Sequence, residues 1–338
     1  ANTPKTPSTS ATPRDPCPVC RSLACQLRGG EELLTHVCQK LHVKPGGMTA
    51  DGKITVGGMA GVGTYGLVNR GPFKNNAGAE VHIDRSSDTG LYSYSIAGFD
   101  NAGAVTIGAN EAVGAHGIFN ETAFNNLAGG TIRIDRSTLA ALRNFNGSFN
   151  NSADIIIGGA SAVGTYGIRN QSDFSNNGGN IKIDNASEGI LAEDKTFTNA
   201  GTITVGQTVA IANLITRQGT GVFLNSTGGI LKGSGQIAAA GFTHAGGTLS
   251  PGYSPGIINF TSDQDFTNSI LDMEINGNGT PGVDFDQIVV SGTATLGGTL
   301  AITATYTPVQ TNQLVLLTAN AVTGTFSSVT GLDDKWDV

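Results

Sequence analysis

Residues 124–157 read FNNLAGGTIRIDRSTLAALRNFNGSFNNSADIII, and inside that stretch two units recur in the same order: Phe124-Asn-Asn126 with Ile132-Arg-Ile134, then Phe149-Asn-Asn151 with Ile155-Ile-Ile157. Working outward, the Phe-x-Asn unit occurs seven times. Phe73, Phe99, Phe124, Phe149, Phe174, Phe197 and Phe223 are followed two residues later by Asn75, Asn101, Asn126, Asn151, Asn176, Asn199 and Asn225. The steps are 26, 25, 25, 25, 23 and 26 residues. A fixed apolar-x-Asn unit at such intervals marks a solenoid, in which each turn buries its apolar side on the next. Like positions then form columns, Phe on Phe inside and Asn on Asn at a bend. Stacked amides satisfy one another, and asparagine tolerates the left-handed backbone that tight bends need.

A short alternating strand runs in phase with this unit: Ile54-Thr-Val56, Val81-His-Ile83, Val105-Thr-Ile107, Ile132-Arg-Ile134, Ile155-Ile-Ile157, Ile181-Lys-Ile183 and Ile203-Thr-Val205. Period-2 alternation puts its Ile and Val inside and its Thr, Lys, Arg or His outside. The residue after the strand alternates as Gly57, Asp84, Gly108, Asp135, Gly158, Asp184, Gly206, so the true unit is two turns. The longer turns carry a loop ending in Val-Gly-x-x-Gly, which presents Tyr65, His116 and Tyr166 as surface-contact candidates before strands opening at Leu67, Ile118 and Ile168. The expected fold is all-β: a right-handed parallel β-helix of seven or eight coils, a rod of roughly 35–40 Å at about 4.8 Å per rung.

Composition agrees with a turn-rich β protein. Charged residues make up 13% of 338, and glycine, at 49 residues, is about twice its usual frequency. Low charge with abundant Val and Ile argues against disorder. A net charge of −7 gives no basic footprint for nucleic acid. No apolar run is long enough to span a membrane as a helix. The chain opens at Ala1, which suits a product cleaved from a signal peptide, and it stops in mid-pattern at Val338, so a continuation is expected.

Four regions follow. Residues 1–16 are a flexible Pro/Thr/Ser lead-in. Residues 17–49 form a cysteine-containing N-terminal cap with a short amphipathic helix over Gly30–Leu41, where Leu34, Val37, Cys38 and Leu41 share a face. Such a cap would shield an open sheet edge. Residues 50–247 are the repeats. Residues 248–338, with a Pro/Gly turn series and alternating strands, form a C-terminal β cap or assembly region.

Chemistry-bearing residues are few. Cys17, Cys20, Cys25 and Cys38 are an even set confined to the first 38 residues, and structural disulfides are the leading reading. A metal site with His36 and His42, or free thiols, stays open beside it. Asp84, Asp135 and Asp184 recur on every second turn; a column is not a catalytic constellation, and an Asx turn at the strand end accounts for them. Asp284 and Asp286 lack the further oxygen ligands that calcium requires. Arg133, Asp135, Arg136 and Arg143 fall in one short coil and are the one cluster suggestive of a glycan-active site. No nucleophile elbow, His-Glu-x-x-His or phosphate-binding loop occurs, so no catalytic residue, metal or cofactor is assigned.

The stretch from Gly246 to Gly331 resembles the tail of autotransporter-associated β-helix repeat proteins. The resemblance lies in Ser250-Pro-Gly-Tyr-Ser-Pro-Gly256, a strand near Asp272–Ile275, Asp286-Gln-Ile-Val-Val-Ser-Gly292 before Ala294-Thr-Leu-Gly-Gly-Thr-Leu300, and the closing Gly324–Gly331. It implies a bacterial secreted or surface-displayed passenger, extracellular and β-helical. The chain departs from the pattern by its cysteine segment and by lacking a following membrane β-barrel, so export through a signal outside the chain is expected. The expected role is a structural or adhesive element that self-associates head to tail or into a filament. The alternatives are a polysaccharide-active lyase or glycosidase and a glycan-binding adhesin.

Overall fold

The computed structural model describes residues 63–94, 98–309, 311–333 and 336, together with 19–20, 35, 36, 38–40, 42, 58 and 59. Its strands wind as a β-solenoid of about ten turns. One turn shows the plan. His116–Asn120 lies in a first sheet, Phe124–Asn126 in a second and Thr131–Ile134 in a third, after which Ala140–Asn144 returns to pair with His116–Asn120. Among the described residues the three sheets hold 12, 8 and 11 strands. Pairing between turns is parallel and in register, with Phe124 opposite Phe99 and Phe149, and Ile132 opposite Val105 and Ile155.

Register turns the sequence cadence into packing. Eight Phe rings, from Phe73 to Phe242, stack along the interior with centroids 4.2–5.4 Å apart and planes within 14° of parallel. Beside them, the side-chain amides of Asn75, Asn101, Asn126, Asn151, Asn176, Asn199 and Asn225 form an unbroken ladder. Each Nδ2 donates to the next Oδ1 over 2.7–2.9 Å. Every one of these amides is buried. A buried amide left unpaired costs about 1–3 kcal/mol, so one misaligned turn would be penalised at two neighbours.

The alternation of Gly and Asp after the third-sheet strand has a steric cause. At Gly108, Gly158 and Gly206 the glycine itself takes positive φ; on the intervening turns the left-handed residue is the one after the aspartate, namely Arg85, Arg136 and Asn185. A Cβ on Gly158 would lie 1.9 Å from the carbonyl oxygen of Asp184 on the next turn. Glycine corners and aspartate corners therefore nest, and two turns make the repeat.

Two expectations change. The turn count exceeds the seven or eight expected, because residues 248–338 continue the stack. Thr248–Pro251, Ile270–Ile275, Thr299–Ala304 and Ser328–Thr330 extend the third sheet, and Ile257–Phe260, Gln287–Leu296 and Leu317–Gly324 extend the first. The second sheet stops at Phe242–Ala245. There His244 takes the ladder position opposite Asn225, and its ring packs against Phe242, Phe260 and Phe266. The expected N-terminal helix is represented by helical residues 35, 36 and 38–40, with Cys38 buried; the rest of that segment and the 1–16 lead-in lie outside the described residues.

Candidate functional site

Strands of the first sheet differ from the others by a local irregularity that shapes their outer face. In His116–Asn120 both Gly117 and Ile118 are buried, and a Cβ on Gly117 would meet Ile134 at 2.3 Å. Two consecutive inward residues bring positions 116 and 119 to the same outer side, where the rings of His116 and Phe119 lie 5.2 Å apart. Register then builds two outer columns. One runs Tyr65, Thr89, His116, Ala140, Tyr166; the other runs Val68, Tyr92, Phe119, Arg143, Arg169.

Side chains on this face touch one another from turn to turn. Tyr92 packs on Tyr65, Tyr94 and Phe119 with centroids 5.1, 5.6 and 5.4 Å away, and Phe119 lies 5.6 Å from Phe145. The Arg143 guanidinium sits 4.8 Å from the ring centroids of both Phe119 and Phe145, within cation–π range. Arg143 Nε donates to Gln171 over 2.8 Å, and Arg169 makes a bidentate pair with Glu193 at 2.7 and 3.1 Å. Tyr92 donates its hydroxyl proton to Glu121 over 2.7 Å; burial first, then that bond, raises the Tyr92 phenol pKa. Four of the six tyrosines of the chain lie here. The aromatic side chains most open to solvent among the described residues, Tyr65, Tyr94 and Phe145, are all on this face. The second-sheet outer column, by contrast, is polar from Lys74 through Asp100, Asn125, Asn150 and Ser175 to Thr198, with Leu224 following.

The sequence-derived contact residues are partly relocated. Tyr65, His116 and Tyr166 belong to strands of the first sheet and not to loops. Tyr65 is 40% exposed and Tyr166 half-buried, whereas His116 is 4% exposed. It lies beneath the side chains of its own face, so burial, aided by Arg143 and Arg169, lowers its pKa to about 4. Arg133, Asp135, Arg136 and Arg143 do not converge. Arg133 pairs with Asp135 on the third sheet at 2.9 Å, Arg136 donates to the carbonyls of Gly108 and Ala109, and Arg143 lies on the first-sheet face.

The three recurring aspartates do not close Asx turns within their own turn. Each accepts backbone N–H groups from the following one: Asp84 from Asn110 and Glu111, Asp135 from Ala160 and Ser161, Asp184 from Thr208. The loop after each glycine corner presents unpaired donors, and the carboxylate one turn earlier is the nearest acceptor. Asp284 accepts from Thr280, and Asp286 accepts from Gly256 and Glu274, both at 2.7 Å. No group of three or more His, Cys, Asp or Glu converges among the described residues. A second amide ladder escaped the sequence reading: Asn120 donates to Asn144 and Asn144 to Asn170, over 2.9 and 3.0 Å.

Among the cysteines, Cys38 is buried with a free thiol, and no disulfide occurs among the described residues. Cys17 and Cys25 lie outside the described residues, while Cys20 is in a two-residue strand, Val19–Cys20, parallel to Gly58–Met59.

The model for thioredoxin-like [2Fe-2S] ferredoxins matches residues 8–68, the N-terminal part of the chain. All four cysteines fall in that range, the number of thiolates such a cluster takes. By donor type and number, Cys17, Cys20, Cys25 and Cys38 are the residues that would hold it, and a bound cluster would supply one-electron transfer. The match overlaps only the start of the repeats, ending at residue 68 within the first described turn. No curated protein and no solved structure matches the chain.

Proposed function

We propose that the chain is a non-enzymatic structural and adhesive β-solenoid of a bacterial surface, acting outside the cell. The observation that carries this reading is the unbroken Asn75–Asn225 amide ladder of the second sheet, in a solenoid that has a single differentiated face on its first sheet. A catalytic cleft in a solenoid needs a singular break with convergent acids or bases. The charged residues expected to supply one are spread over two faces or committed to backbone amides. The resemblance of residues 246–331 to autotransporter-associated repeats supports the surface location.

Self-association is part of the proposal. The last strands, Leu317–Gly324 and Ser328–Thr330, each have one edge without a partner strand among the described residues, and Val322 and Val329 are 52% and 40% exposed. An open parallel edge is a template for strand addition from another copy. No helix among the described residues is long and apolar enough to cross a membrane.

The test is display of the chain on the surface of a heterologous bacterium. The reading expects faster settling of the culture or attachment to coated surfaces than an undisplayed control shows. Identical settling and attachment, with display verified by antibody, would contradict it. Sedimentation velocity of the purified chain tests self-association separately, which requires a concentration-dependent species larger than the monomer.

A further inference from the structure

We infer that the aromatic face of the first sheet binds an extended, neutral β-1,4-linked pyranose chain laid along the solenoid axis. This rests on the adhesive reading and names the ligand of the same face. Successive turns repeat at about 4.8 Å, close to the advance per residue of an extended β-1,4 chain. A stack of paired strands thus offers side chains to successive sugars at a matching interval. Such a chain is a flat ribbon whose two faces are C–H and whose edges carry hydroxyls. It needs flat rings beneath it and hydrogen-bonding groups beside it.

The face supplies both. Tyr65, Tyr94 and Phe145, exposed at 40, 55 and 39%, offer ring surface on three different turns. Tyr92 and Phe119 lie between them and tie them into one platform. Polar groups flank the rings. Glu121 holds the Tyr92 hydroxyl, Gln171 accepts from Arg143 Nε, and the remaining guanidinium protons of Arg143 lie between Phe119 and Phe145. The Arg143 fork is thereby pre-positioned, which lowers the ordering cost of binding a hydroxyl.

Charge selects the class of polymer. The two guanidiniums at the centre, Arg143 and Arg169, are accompanied by Glu121 and Glu193, and Arg169 is already paired with Glu193. The face is electrically balanced within a chain of net charge −7. Nucleic acid and polyuronates need a surplus of positive charge that is absent here. A protein helix would require a groove lined by aliphatic side chains, whereas this surface is a row of rings.

The experiment is isothermal titration calorimetry of the full chain with the β-1,4 hexasaccharides of glucose, mannose, xylose and N-acetylglucosamine, with polygalacturonate as the anionic comparison. At least one neutral hexasaccharide is expected to bind. A Tyr94→Ala/Phe145→Ala double variant should weaken it at least tenfold while the unfolding temperature stays within a few degrees. Arg143→Lys should weaken it less than that double variant. Binding by none of the four, binding by polygalacturonate alone, or affinity unchanged in the double variant would overturn the inference. If the displayed chain still promotes attachment when no hexasaccharide binds, the ligand assignment fails and the adhesive role stands. Binding without attachment reverses that outcome.

Discussion

Asn170 and Ala192 occupy the same register position on successive turns, and Asn170 Nδ2 consequently has no acceptor. The second amide ladder ends in an orphaned buried donor. Asn144, one turn earlier, receives one ladder bond, gives another and also donates to the Asp173 carbonyl. Asn144→Ala should therefore cost about 2–3 kcal/mol and Asn170→Ala about 1 kcal/mol. Ala192→Asn should raise the urea midpoint by extending the ladder. Equal losses for the two alanine variants would show that the ladder is not the source of the stability.

The nested corners make a contrast between two glycines. Gly158 has φ +66 with an added Cβ 1.9 Å from the Asp184 oxygen, while Gly178 has φ +81 with open space around it. Gly178→Ala should cost about 1–2 kcal/mol, the left-handed penalty alone. Gly158→Ala forces a turn to move and should cost at least about 3 kcal/mol. Thermal denaturation of the two variants decides; similar midpoints would mean that the corners do not interlock.

Acid should loosen the C-terminal end of the phenylalanine stack. Burial lowers the His244 pKa from 6.5 to about 4, with Asp265 opposing the shift. A base whose folded-state pKa is depressed takes up protons more readily when unfolded. Its contribution is whole above pH 6.5 and is lost as pH falls through 6.5 towards 4, about 3 kcal/mol over that window. Asp286 has the opposite sign. Burial raises its pKa from 3.8 to about 7 against the bonds from Glu274 and Gly256, so its contribution declines as pH rises from 3.8 to 7. His244→Asn should abolish the acid loss between pH 6.5 and 4. Stability–pH curves of identical slope for the variant and the parent chain would refute the assignment.

Asp135 and Asp84 occupy equivalent corners in different solvent. Asp135 is fully buried, pairs with Arg133 and accepts two backbone N–H groups. Its replacement by alanine should cost about 3 kcal/mol, since the donors of Ala160 and Ser161 lose their acceptor. Asp84, whose bonds lie at the surface, should cost about 1 kcal/mol in the same substitution. Amide hydrogen exchange at Ala160 and Ser161 gives the local readout and should accelerate in Asp135→Ala alone.

The Phe149 and Asn151 columns were legible in the sequence because the same residue type returns at every turn. The second ladder was not, since Ser93 and Ala192 interrupt it and leave only Asn120, Asn144 and Asn170 in succession. The aromatic face was less visible still. Its column changes from Tyr92 to Phe119 to Arg143 to Arg169, so no period marks it, and the consecutive buried residues Gly117 and Ile118 shift it off the alternation that a regular strand would show. The last turns read as a separate cap because the Phe-x-Asn unit ends at His244, although Leu249, Leu271, Leu300 and Val329 carry the apolar column onward.

In-register stacking of successive turns is tested most directly by cysteine pairing on the polar second-sheet face, where Asn150 lies opposite both Asn125 and Ser175. Neighbouring turns place Cα atoms about 4.8 Å apart, within disulfide reach, and alternate turns about 9.6 Å apart, beyond it. Air oxidation followed by mass spectrometry of the digest should find the 150–175 bridge in Asn150→Cys/Ser175→Cys and no 125–175 bridge in Asn125→Cys/Ser175→Cys. A 125–175 bridge forming as readily, or no bridge in either variant, would contradict the solenoid.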